Sequence, residues 1–392
     1  MVVTPLMWRS LDRFNHLFGF MVTNPIEYDA KKRRFQFNQV SIKMWPYICS
    51  IAILFLSVFL PCMVLGIFRF LDLIQISLTN VMVLLIALLV SGGCLMVELI
   101  TVIMGYKLVG LVNCVIETEK KLKNPTPGST DVLGATLIAV VTILGFYPYV
   151  TFVFVHYSQL DPLFQFQQLI THYWPSPDNF PISKFVMMTI LRPLLALISM
   201  FQACRFIAIL FCGGAVASIS LLDSITHMER ISNRFWVRSY AWEILHNHAI
   251  IQILLQWSSD VLHSLVAIFQ FGGFVSVPLN YMALKMYSAM PFRIYLALTV
   301  VCILLPLSHQ VLLPILISVY EGEVNLHRKW RRSLCFCGDT RYLVRRIKAT
   351  RILRVYCSIL SYNFYFLKKS TKLRYQYTIL SYTISALLSG NE

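Results

Sequence analysis

Hydrophobic positions along this chain come in long blocks separated by shorter polar connections. Seven blocks reach the ~20 residues that a helix needs to cross a bilayer. They cover 46–68, 76–104, 132–155, 185–210, 262–284, 292–320 and 373–389. The pattern predicts an all-α membrane protein with seven transmembrane helices. The fourth and sixth blocks exceed one membrane thickness, so those helices are expected to tilt or to extend into water. Composition agrees: of 392 residues 57% are hydrophobic and 13% charged, and the mean hydropathy is +0.66.

A formal charge of +16 at pH 7 would raise nucleic-acid binding in a soluble chain. Here the basic residues flank apolar blocks, which points to a membrane surface and away from nucleic acid. Their placement also orients the chain, because cytoplasmic loops keep the excess of Lys and Arg. All but six of the 34 basic residues lie before the first block or in the even-numbered connections, including the approach to the seventh block. The exceptions are Arg69, Lys184, Lys285 and Arg293 in odd connections, and Arg192 and Arg205 inside the fourth block. A cytoplasmic N-terminus and, after seven crossings, an extracellular C-terminal stub are expected, in a multi-pass protein of the plasma membrane.

By this reading 1–45 is a cytoplasmic segment and 46–320 carries spans one to six. A basic cytoplasmic region follows over 321–372, and 373–392 holds the seventh span and the stub. The first 45 residues show no short apolar core with a small-residue cleavage site, so no signal peptide is expected. The arrangement is the reverse of a G-protein-coupled receptor. NPIEY (24–28) imitates a motif of those receptors but precedes the first block, and reads as a turn at which Pro25 breaks the chain. None of the ten cysteines lies in the outer connection from about 156 to 184, so no external disulfide tethers it.

With this size and topology, the chain resembles the insect gustatory and odorant receptor superfamily over its whole length. FGFMVTNPIEYDAKKRRF (18–35) is similar to the family's pre-membrane segment and SYTISALLS (381–389) to its last span. The gustatory signature there is Thr-Tyr, five hydrophobic residues, then Gln-Phe. Ser381 and Tyr382 hold the first two places, Thr383 to Leu387 fill the middle partly in character, and Leu388 and Ser389 replace Gln and Phe. The resemblance implies a ligand-gated, cation-permeable channel of four subunits, either a homotetramer or a heterotetramer with a co-receptor, opened by a small-molecule tastant or odorant. It further implies last helices around a central pore, a ligand pocket in the outer half of each subunit, and a cytoplasmic anchor that joins subunits. It implies no enzyme activity and no cofactor.

Individual residues bear on these roles. In the last block Thr371, Arg374, Thr378, Ser381 with Tyr382, Ser385 and Ser389 recur at steps of three and four. One helical face is thus polar, and must meet water or protein rather than lipid. Thr378, Ser381, Tyr382, Ser385, Leu388 and Ser389 are therefore candidates to line a pore, with small-residue helix packing as the alternative. Upstream, 321–369 carries 12 basic residues against Glu321, Glu323 and Asp339, interleaved with Leu343, Val344, Ile347, Ile352, Leu353 and Val355. An amphipathic cytoplasmic helix is expected there, lying on anionic lipid or joining subunits.

Aromatic residues crowd GFYPYVTFVFVHY (145–157), in the outer half of the third block. Tyr149, Phe152 and His156 recur at helical steps, and Tyr295 opens the sixth block on the same side. With Arg192, in the outer half of the fourth block, these are the ligand-site candidates; an interfacial aromatic belt and a snorkelling arginine compete. Glu98 and Arg205 fall near one depth toward the inner side and are expected to form a structural ion pair. No metal site is expected. His246 and His248 of HNH stand ~200° apart around a helix, and Cys335 and Cys337 have no second ligand pair nearby. Phosphate loops and nucleophile elbows are missing, so a transporter is the main rival to a channel, although no internal repeat is visible.

Overall fold

The structure, a computed structural model, describes residues 3–39, 41–122, 131–158, 161–173, 187–232, 238–287, 292–333, 340–359 and 362–389. Among them, six helical stretches are long and apolar enough to cross a membrane: Trp45–Phe70, Leu78–Thr118, Val132–Val153, Thr189–Ile231, Ser259–Lys285 and Tyr295–Ser333. They match the first six apolar blocks. The stub after Ser389 and the CFCG stretch lie outside the described residues.

The first stretch comprises α2 (Trp45–Leu54) and α3 (Leu60–Phe70), joined by a π-helical turn, Phe55–Phe59. A second π-turn, Met187–Leu191, enters α7 (Arg192–Ile231). A proline follows each turn, Pro61 and Pro193. Its ring excludes the carbonyl four residues back, and widening the preceding turn accommodates the clash. The first turn meets α7 where the hydroxyls of Ser57 and Ser199 bond at 2.9 Å.

Three helices far outrun a bilayer. α4 (Leu78–Leu122) has 45 residues, α7 has 40 and α11 (Phe292–Ser333) has 42. At 1.5 Å per residue each is about 60 Å or longer, against ~30 Å of hydrocarbon. The extension expected of the fourth and sixth blocks is thus shared by the second. The three C-terminal halves run the same way and pack together through Leu111, Val115, Leu221, Ile225, Val319 and Leu326. α8 (Arg238–Trp257) and α12 (Thr340–Ala349) close over them with Ile244, Leu245 and Ile347.

The N-terminal segment is part of the core. Thr4 accepts the Met7 amide to start α1 (Pro5–Phe18), and Pro5 sits in the first turn, where its missing N–H costs nothing. Thr4 also bonds Asp131, whose other oxygen accepts the Gly134 amide at the start of α5 (Val132–Ser158). Met7, Leu11, Phe14 and Phe18 fall on one face, which is buried against α5 and α7. NPIEY does not form the expected turn: Pro25 leads into β1 (Ile26–Asp29), antiparallel to β2 (Arg34–Phe37). The hairpin holds because Asn113 of α4 accepts the Phe35 amide at 2.9 Å and donates to its carbonyl at 2.7 Å, a backbone match that a turn reading does not contain.

The basic region departs from the single amphipathic helix expected. After α11 and α12 it forms a hairpin of β3 (Tyr356–Ile359) and β4 (Tyr362–Phe366), then α13 (Lys369–Ser389). Alternation of aromatic and small residues in YCSI and YNFYF favours strands, and Val355, Cys357 and Leu367 pack on α9 (Ser259–Phe274) and α11. α13 is long enough to cross a bilayer at about 31 Å. Its hydroxyls, Lys372 and Arg374 make it too polar to count among the six apolar stretches.

Candidate ligand and pore site

Among the described residues, α13 meets the rest of the chain along one face. Thr371, Tyr375 and Thr383 are buried, and Ala386 and Leu387 pack with Tyr281, Met282 and Met286 near α10 (Ser276–Lys285). The Tyr375 hydroxyl donates to the Gln270 carbonyl at 2.6 Å. His309 of α11 stacks between Phe269 and Tyr375, with Nε2 2.8 Å from the Phe269 carbonyl and Nδ1 2.9 Å from that of Leu305. This approach requires a glycine at 273, because a Cβ there would collide with the Tyr375 hydroxyl. Sequence reasoning missed this three-helix junction. Its one local signal was the glycine pair in FGGF (271–274).

Among the described residues, the opposite face of α13 has no partner within the chain. Ser381, Tyr382, Ser385, Leu388 and Ser389 are exposed, and Thr378 is half-buried. Thr378 and Ser389 donate their hydroxyls back to the Arg374 and Ala386 carbonyls, at 2.8 and 3.2 Å. The exposed arc has two sectors: Leu373, Tyr377, Leu380 and Ile384 form an apolar one, and the serines with Thr378 and Arg374 form a polar one beside it.

The ligand-site candidates do not converge as a group. Tyr149 meets Phe201 edge-on at 5.0 Å, and Phe201 meets Phe20 of the N-terminal segment at 5.4 Å. Tyr149 thus lies beside the level of Gln202 and Glu98. Arg192 stands about 13 Å further along α7. It is buried, with Nη2 3.1 Å from Asp161 Oδ1 and its guanidinium 4.8 Å over the Phe164 ring. Burial pushes the Asp161 carboxyl above its ordinary value, and Arg192 pulls it back. The arginine neither snorkels nor waits for an acidic ligand; Asp161 matches its charge.

Beside this pair lies a cavity of about 30 Å³ lined by Ser57, Val58, Asp161, Pro162, Leu163, Arg192 and Ala196. That admits one or two waters, far below the ~300 Å³ of small-ligand pockets. Phe152 and Tyr295 are half-buried. Both lie outward of Tyr147, which neighbours Cys204 and Cys302 where α5, α7 and α11 meet. The side chain of His156 lies outside the described residues.

Glu98 and Arg205 share one buried region without pairing directly. Gln202 Nε2 donates to Glu98 Oε1 at 2.9 Å, and Arg205 Nη1 donates to the Val22 carbonyl at 2.6 Å. Val22 belongs to the non-helical link between α1 and β1, whose carbonyls have no helical partner, and this acceptor draws the guanidinium away from the carboxylate.

No protein-family model and no curated protein matches the chain. Solved structures do. The insect olfactory receptor OR5 from Machilis hrabei in complex with eugenol superposes with a TM-score of 0.66 at 14% identity, over 98% of this chain and 98% of the receptor. OR5 in a second structure superposes with a TM-score of 0.61 at 14% identity, over 97% of this chain and 96% of the receptor. At that identity the likeness is one of fold, and it extends from end to end. The chain is therefore a multi-pass, all-α membrane protein with the fold of the insect olfactory receptors.

Proposed function

We propose that the chain is a subunit of a chemosensory, ligand-gated cation channel of four copies or of copies with a co-receptor. Its N-terminus is cytoplasmic, its C-terminus extracellular, and the free face of α13 lines the ion path. The observation that carries this reading is the split of that face. In a ring of subunits, the apolar sector of Leu373, Tyr377, Leu380 and Ile384 abuts the neighbouring copy. The adjoining sector of Thr378, Ser381, Ser385 and Ser389 turns to the axis, where hydroxyls replace part of an ion's water. Leu388, near the outer end, closes the path by dewetting. Opening follows the binding of a small organic molecule between the outer parts of α5, α7 and α11, with Phe152 and Tyr295 as walls; the solved OR5 complex with eugenol supports that ligand class.

The test is a series of single cysteines from Thr378 to Ser389 in channels that conduct on adding an odorant or tastant. Water-soluble thiol reagents applied outside are expected to change current at Ser381, Ser385 and Leu388 and to leave the buried Thr383 unaffected. Leu388→Ser is expected to leak without ligand. Uniform sensitivity, or none at any position, would remove α13 from the pore.

A further inference from the structure

α8 crosses the far end of α11 where three ionisable side chains converge. His248 of α8 and Glu323 and His327 of α11 are all buried. The four-residue spacing of Glu323 and His327 puts them on one helical face. His248 Nε2 lies 2.5 Å and His327 Nε2 3.2 Å from the same oxygen, Glu323 Oε1. The three ligand atoms are within 4.8 Å of one another. Trp330 closes the cluster, its ring 5.1 Å from each imidazole and its N–H bonded to Ser232 Oγ at 3.0 Å.

Hydrogen bonds alone leave this cluster unsatisfied. When both imidazoles donate to Oε1, Glu323 Oε2 is buried with no donor, and so is His248 Nδ1 with no partner. A buried polar atom in that condition costs on the order of 1–3 kcal/mol, more for a charged group. A cation among the three would take a lone pair from each Nε2 and accept one or both carboxylate oxygens, giving Oε2 a role. His248 Nδ1 stays without a partner in either arrangement.

We propose that His248, Glu323 and His327 bind a divalent transition metal, zinc by preference, which staples α8 to the extension of α11. Two imidazoles and a carboxylate suit zinc and disfavour calcium or magnesium, which take all-oxygen shells. Zinc bonds of ~2.0–2.2 Å set neighbouring ligand atoms about 3.3 Å apart in a tetrahedron. The His327–Glu323 separation already fits, the His248–Glu323 one must open by less than about 1 Å, and the two imidazole nitrogens, within 4.8 Å of each other, must come to the same spacing. The site is a structural one: among the described residues, the buried ligands, the Trp330 lid and the apolar Ile244, Leu245 and Leu326 around them leave no path for a substrate. It does not rest on the channel reading, and HNH contributes only one of its histidines.

The experiment uses full-length protein purified in detergent without chelator. Elemental analysis is expected to find about one zinc per chain. Cobalt(II) added after chelation is expected to give the visible bands of tetrahedral nitrogen and oxygen ligation, without a thiolate charge-transfer band. Glu323→Gln and His327→Gln are each expected to lower zinc content at least about tenfold. His246→Gln, exposed on the same helix, should leave it unchanged. Zinc below about a tenth of an equivalent in wild type with no cobalt spectrum would overturn the proposal in favour of a proton-bridged network. So would a zinc content that survives both variants, or a thiolate band. Should either variant fail to fold, wild-type stoichiometry and the cobalt spectrum still decide.

Discussion

Single side chains matter most here where one atom has no room. Adding a methyl group at Gly273 brings it onto the Tyr375 hydroxyl, so Gly273→Ala is expected to cost about 1–3 kcal/mol and to lower the thermal midpoint in detergent. Tyr375→Phe gives up the bond to the Gln270 carbonyl, about 0.5–1.5 kcal/mol. Because Phe also removes the obstructing oxygen, the double variant should be more stable than the two losses added together. Strict additivity would show that the pair is uncoupled. Leu11, fully buried on α1, is expected to cost about 2–5 kcal/mol as Leu11→Ala, a larger loss than a peripheral N-terminal segment would show.

Elements hold to one another through a few buried matches rather than through the many surface charges. Asn113→Ala removes both bonds to Phe35 and leaves the hairpin free to lift from α4. Amide exchange over 26–37 is expected to speed up by about 5- to 150-fold, the equivalent of about 1–3 kcal/mol. Arg34 and Glu117 approach to 2.7 Å close by, but both are half-exposed. Glu117→Gln is therefore expected to change exchange and stability by less than about 1 kcal/mol. Equal effects of the two variants would mean that the hairpin is held by charge.

At the scale of the whole molecule, topology and assembly can each be measured. An epitope placed after Glu392 should be stained on intact cells and one before Met1 only after permeabilisation, because the basic residues crowd the opposite connections. Electron-microscopy particles of the purified protein should show four-fold symmetry, with α13 nearest the axis. Monomeric particles would return a transporter to first place, and the reverse staining a G-protein-coupled receptor.

Sequence by itself determined the membrane class and six of the helices, because a run of apolar residues has to leave water whatever its neighbours do. It also located the polar face of α13, since helical periodicity is a local property. It could not show the length of α4, whose C-terminal half is amphipathic and is recognised only against α7 and α11. Nor could it show that the region after α12 pairs as strands, which depends on α9 lying beneath it. Residue partners were beyond its reach. Arg205 takes the Val22 carbonyl rather than Glu98, Arg192 takes Asp161, and His248 meets Glu323 and His327 rather than His246. Each choice is set by which buried donor and acceptor arrive at the same depth, and that depth is decided only when long helices register against one another in the packed bundle.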